Sequence, residues 1–99
     1  MEEFKKLEKY AKNTLREAST YADQYMMYKS DGDTELMNLY YSLANIHLDL
    51  YNKIHTAMVN EINDYKRVNG KAPENMQIIY NYLHEIEMDL FNDIKAKLK

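Results

Sequence analysis

Apolar side chains recur along this chain at steps of three and four, the spacing that puts residues on one face of an α-helix. The first row runs Phe4, Leu7, Ala11, Leu15, Ala18, Tyr21, Tyr25 and Tyr28, which predicts a helix over about 2–29. Its middle is lined by the small residues Ala11, Thr14, Ala18 and Ala22, so a neighbouring backbone can come close. Ser30-Asp31-Gly32-Asp33 interrupts the pattern. Gly32 can take the positive φ that ends a helix, and Asp33 or Asp31 can accept from the free amides that begin the next, with Glu35 favourable in its first turn.

A second row, Leu36, Leu39, Leu43, Ile46, Leu50, Ile54, Met58, Ile62 and Tyr65, predicts a helix over about 34–68, a rod of roughly 50 Å. Asn69-Gly70-Lys71-Ala72-Pro73 then supplies a terminating glycine and a proline suited to the first helical position. The third row, Met76, Ile79, Leu83, Ile86, Leu90, Ile94 and Leu98, predicts a helix over about 73–97 that ends among Lys95, Lys97 and Lys99. Leu50 and Ile86 fall at the centres of their rows and are expected in the core. Two short connections make consecutive helices antiparallel, so the expected fold is an all-α three-helix bundle in one domain, residues 1–99.

Beside the main row of helix three stands another, Tyr80, His84, Met88 and Phe91. So wide an apolar face needs a cover. Helix one could wrap over both rows, or a second copy could bury the outer one. These four residues are assigned to a self-interface, and the chain is expected to be a homodimer or higher oligomer.

Composition narrows the class. Ninety-nine residues with two glycines, one proline and no cysteine leave little for strands and loops, and remove disulfides, thiolate chemistry, zinc fingers and iron–sulfur clusters. Charged residues make up 29% against a net charge of only −3, so both signs are interspersed. The apolar runs are too short for a membrane span or a secretory signal, which predicts a soluble, cytoplasmic chain with no membrane partner.

Candidate chemistry is sparse. His47 lies among Leu43, Leu50 and Ile54 and is expected to face the core, bonded to a tyrosine hydroxyl or an opposing carboxylate. His55 falls at the edge of the same row. His84 and Glu87 form a His-x-x-Glu pair, two groups where a metal needs more. Ser19, Ser30 and Ser42 have no histidine three or four residues away, and two isolated glycines cannot cradle a phosphate. Carboxylates such as Glu61, Asp64, Glu85 and Asp89 read as solvated groups, so no catalytic residue is assigned and no enzyme activity is expected.

The unusual feature is ten tyrosines against two phenylalanines and no tryptophan. Tyrosine pairs a rigid apolar face with a hydroxyl that tolerates water, which suits binding surfaces. Tyr21, Tyr25, Tyr28, Tyr40 and Tyr41 are expected near the first turn, and Tyr65, Tyr80 and Tyr82 near the second. Lys5, Lys6, Lys9, Lys12 and Arg16 form a basic run on helix one, diluted by Glu2, Glu3, Glu8 and Glu17, so no direct DNA binding is expected. Glu85, Asp89 and Asp93 stand four apart on helix three with Glu87 alongside, an acidic ridge suited to a basic partner. The partner-binding residues are accordingly assigned as Glu85, Asp89, Asp93, Tyr25, Tyr28 and Tyr41.

The pattern Gly70-x-x-Pro73-Glu74-x-Met76, followed by Tyr80-x-Tyr82-Leu83-His84-Glu85, resembles small ferritin-like proteins encoded by phages and prophages of low-GC Gram-positive bacteria. Tyr10, Ala18, Leu43, His55 and Tyr65-Lys66 fall at comparable positions. The resemblance implies ferritin-like packing. Di-metal members of that fold carry Glu-x-x-His on their helices, whereas His47, His55 and His84 are preceded at minus three by Ala44, Asn52 and Asn81. It therefore implies a scaffold without the oxidase centre, needing no cofactor or metal. The function expected on this basis is a non-enzymatic phage-type accessory protein that binds a host bacterial protein, such as a defence nuclease or sensor, and inhibits it. Two alternatives are an oligomeric sponge for a nucleotide signal and a degenerate metal-binding bundle using His47 and His84.

Overall fold

The computed structural model describes residues 2–71 and 74–99. Three helices follow in chain order, α1 (Glu2–Asp31), α2 (Thr34–Asn69) and α3 (Glu74–Lys97), with no strand among the described residues. The first break is tighter than the four-residue interruption predicts, because α1 continues through Ser30 and Asp31 and stops only at Gly32. Gly32 has φ +77°. The next amide, that of Asp33, donates to the Tyr28 carbonyl at 3.0 Å. Asp33 then caps α2, its Oδ1 accepting from the Leu36 amide at 3.1 Å. Gly70, at φ +82°, closes α2 by donating its amide to the Lys66 carbonyl at 2.7 Å. A Cβ at either glycine would meet no neighbour, so backbone conformation alone demands the residue. Pro73, predicted to open the third helix, lies outside the described residues, as does Ala72.

The molecule measures 55 × 18 × 18 Å, so its length is that of α2, whose 36 residues rise about 54 Å. α1 packs along α2, with Ala11, Thr14, Ala18 and Ala22 all buried on its inner face and Ala44 opposite them fully buried. α3 approaches the α1 backbone more closely than that of α2, which it meets through long side chains. The Tyr51 and Phe91 rings lie 5.5 Å apart and the His55 and Tyr80 rings 5.2 Å apart, so α3 runs antiparallel to α2 and parallel to α1. Near its end, Lys97 Nζ donates to Asp23 Oδ1 at 2.7 Å. Residues 24–31 of α1 and the facing start of α2 therefore project about 12 Å past the last turn of α3.

The buried face of α2 is not the one predicted. Ala44, Leu48, Tyr51, Met58 and Ile62 are inside, while Leu39, Ile46 and Leu50 are exposed, Leu50 at 45%. α3 departs in the same way: Met76, Leu83, Glu87, Phe91, Ile94 and Leu98 are buried, whereas Ile86 (53% exposed) and Leu90 point outward. Part of each predicted row is buried as expected, Met58 and Ile62 on α2 and Met76, Leu83, Ile94 and Leu98 on α3. The difference lies in the middle turns, where the inward residues are neighbours one or two positions on, so each face turns by less than the roughly 100° of a full one-residue shift. The face chosen on α2 serves two neighbours at once. Ala44 and Leu48 sit in the core with α1, and Tyr51 and His55 are long enough to reach α3.

The row assigned to a self-interface is largely absorbed within the chain. Phe91 is in the core, Tyr80 and Met88 pack against it, and only His84 is exposed. The cover comes from Tyr51 and His55 of α2. Truncating Leu83 to alanine is expected to cost about 2–5 kcal/mol in chemical denaturation. Leu50→Ala and Ile86→Ala, measured on dilute protein, are expected to cost only a small fraction of that.

Candidate functional site

Two regions carry polar chemistry beyond what the fold requires: a seam between α2 and α3, and the outer face shared by α1 and α3. The seam exists because Glu87 occupies a core position, in step with Leu83, Phe91 and Ile94. Its Oε2 accepts from the Tyr51 hydroxyl at 2.9 Å, a buried bond between residues 36 apart in the chain. Its other oxygen, Oε1, is buried without a partner within the chain, and so is His55 Nε2. His55 in turn packs against His84, the ring centroids 5.8 Å apart, and His84 stacks on Tyr80 at 5.9 Å.

Burial sets the protonation of this seam. It raises the Glu87 carboxyl above the usual carboxylate range, the Glu8 charge pushing the same way while the Tyr51 hydrogen bond and the nearby Lys12 ammonium pull back. Burial, with the adjacent Glu87 charge and hydrogen bond, lifts the Tyr51 phenol well beyond any physiological range, so it remains a donor. Burial, then the charge on His84, lowers His55 and keeps it neutral. The arrangement is a buried carboxyl, raised by its surroundings, held by a phenol that donates to it. Glu87 thus belongs neither to the acidic ridge nor to a His84 ligand pair, and among the described residues no three His, Asp or Glu side chains converge as metal ligands.

His47 is half-buried at the α1/α2 boundary rather than in the expected core position, one ring nitrogen 2.9 Å from the Leu43 carbonyl and the other 2.9 Å from Glu17 Oε2, the opposing carboxylate that is one of its two expected partners. The tyrosines of the first turn do gather: Tyr25 with Tyr41 at 5.5 Å, Tyr28 stacked on Tyr40 at 5.5 Å, and Tyr21 against Tyr40 at 6.0 Å. Tyr25 is a core residue, however, and Tyr41 is the exposed member of its pair. The second tyrosine group does not form. Tyr80 turns inward beside His55, while Tyr82 is exposed and lines the α1/α3 groove.

The outer face is amphipathic. Leu15 and Ser19 of α1 and Tyr82, Ile86 and Leu90 of α3 border an open groove of about 370 Å³. Lys12 and Arg16 stand on its α1 rim, with Lys5 and Lys9 continuing the basic edge. Glu85, Asp89 and Asp93 are exposed on α3 and, among the described residues, make no ion pair within the chain. A second groove of about 430 Å³ lies between α1 and α2, bordered by Tyr10, Glu17, Leu50 and Ile54. Tyr51 and Glu87 are the residues missed by sequence reasoning, although the steps Leu83, Glu87 and Phe91 already place the acid on a buried face.

No protein-family model, curated protein or solved structure matches this chain.

The seam makes stability depend on pH in two opposed ways. A carboxyl raised in the folded state loses its proton first in the unfolded chain, so Glu87 lowers stability as pH rises from about 4.5 to its folded value. His55, lowered in the folded state, is protonated first when unfolded, so its contribution is complete above about 6.5 and fades as pH falls. Glu87→Gln is expected to abolish the first dependence and leave the second, read as denaturation midpoint against pH. Tyr51→Phe, which strands the carboxylate, is expected to cost about 1–3 kcal/mol at neutral pH.

Proposed function

We propose that this protein is a non-enzymatic interaction protein of the phage accessory type, a ferritin-like scaffold without a metal centre, which works in the host cytoplasm by binding proteins. The observation that carries this reading is the surplus of exposed aliphatic surface arranged in rows. Leu39, Ile46 and Leu50 on α2 and Ile78, Tyr82, Ile86 and Leu90 on α3 are all large, apolar and 39–59% exposed. Rows of this kind, edged by charge, mark surfaces that meet another macromolecule. The acidic ridge Glu85, Asp89 and Asp93 beside the α3 row favours a basic counterpart and speeds encounter with it.

The resemblance of Gly70-x-x-Pro73-Glu74-x-Met76 and Tyr80-x-Tyr82-Leu83-His84-Glu85 to prophage-encoded proteins supports the phage assignment. A host protein is the partner class that fits, because among the described residues no nucleophile, base and phosphate cradle come together in one place. Protein is favoured over a nucleotide because the first-turn tyrosines spend their faces on each other. Tyr28 and Tyr40 are already stacked at an interplanar angle of 10°.

Native mass spectrometry of protein purified from cells tests this reading in one measurement. A complex with itself or with a protein, free of small molecules, is expected. Leu50→Glu and Ile86→Glu should retain the helical circular dichroism spectrum, and at least one should lose the complex. A stoichiometric nucleotide or metal in the purified protein, or a monomer indifferent to both substitutions, overturns it.

A further inference from the structure

We infer that the α1/α3 face binds a second copy of this chain, in a parallel dimer whose two-fold axis runs along the bundle. This rests on the interaction reading above and names the basic counterpart of the acidic ridge: the Lys12 and Arg16 edge of another copy. From one side of the face to the other the order is basic edge, apolar groove, acidic ridge. Lys5, Lys9, Lys12 and Arg16 follow one another at four, three and four residues along α1, and Glu85, Asp89 and Asp93 at four and four along α3. Each set therefore holds one side of its helix. Ile86 and Leu90 of α3 and Leu15 of α1 lie between the two. Among the described residues, Arg16, Glu85, Asp89 and Asp93 have no ionic partner in the chain, and Lys12 has only Glu8, one turn away on its own helix.

Such a face complements itself in one orientation only. A two-fold axis relating two copies face to face lies in the plane between them. Laid across the bundle, it leaves the two edges in place and sets basic on basic and acid on acid. Laid along the bundle, it exchanges the edges at unchanged height and sets each basic edge on the other copy's acidic ridge. The heights agree. Lys97 stands beside Asp23, which puts Asp89 level with Arg16 and Glu85 level with Lys12, to within about a turn. The apolar strip supplies the attraction, and the charges select the parallel arrangement, since like charges face to face are costly.

The experiment uses sedimentation velocity together with engineered cysteines, which the chain otherwise lacks. Wild-type protein is expected to dimerise more weakly as salt rises. Lys12→Glu/Arg16→Glu, and separately Glu85→Lys/Asp89→Lys, should each weaken the dimer by roughly tenfold or more. Mixing these two variants should restore it as a heterodimer, which a folding defect would not allow. Under oxidation, Ser19→Cys and Tyr82→Cys, which lie at different heights on the groove, should each form a disulfide with its own kind. A mixture of the two that yields only the mixed disulfide indicates antiparallel packing and overturns the proposal. A monomer at all concentrations also overturns it, as does a dimer indifferent to both charge reversals. A dimer lost in Leu50→Glu but kept in Ile86→Glu overturns this interface while leaving the broader interaction reading standing.

Discussion

The close seam between α1 and α2 governs the rest of this structure. Ala11, Thr14, Ala18 and Ala22 give α1 a face with almost no side-chain height, and Ala44 answers it from α2. A pair of helices joined in this way has little room between its members for large side chains. Bulk is displaced to the flank where α3 lies, and α3 is held by what reaches it: the rings of Tyr51 and His55, and the Lys97 to Asp23 pair near its end. The third helix consequently lies close on α1 and is propped off α2 by long side chains, and its own inner row is aromatic and polar as well as aliphatic.

Glu87 is the consequence of that propping. A carboxyl at a core position of an aliphatic bundle would be severely penalised, because a buried charge needs compensation. Here the Tyr51 hydroxyl reaches across from α2 to meet it, and the Lys12 charge lies close enough on α1 to oppose part of the burial effect. One residue thus draws on all three helices. A polar contact of this kind adds little net stability, but it is directional, and apolar packing is not. It ties the rotation of α3 about its own axis to that of α2, and that rotation decides which residues of α3 face water.

The outer faces follow from the same choice. Turning Glu87 and Phe91 inward turns Ile86 and Leu90 outward, beside Glu85 and Asp89 and across the groove from Lys12 and Arg16. Turning Tyr51 inward turns Leu50 outward on α2. A bundle about 18 Å across cannot bury both faces of a helix that is apolar on two sides. The protein therefore carries aliphatic rows on its surface, and in the reading proposed here these rows, with their charged borders, are what it works with.

The sequence by itself determined three helices, their approximate ends and their antiparallel order. Those features are local: Gly32 and Gly70 adopt left-handed backbone whatever surrounds them, Asp33 caps from its own position, and short turns leave no other direction. The carboxylate opposite His47 was one of two partners the sequence offered for it, but its depth was not legible: the Leu43, Leu50 and Ile54 row that seemed to place it in the core is not the buried row, and His47 stays half-buried. The working face of α2 and α3 was decided only by tertiary structure. Leu43, Ile46, Leu50 and Ile54 keep helical spacing as well as Ala44, Leu48, Tyr51 and Met58 do, and Ile86 and Leu90 as well as Glu87 and Phe91. Periodicity establishes that a helix is amphipathic but fixes its rotation only when one apolar row is present. With two rows less than about 100° apart, the more aliphatic one looks like the core. What settles the matter is shape, the low alanine face of α1 and the reach of Tyr51 to Glu87, and that appears only when the helices are brought together.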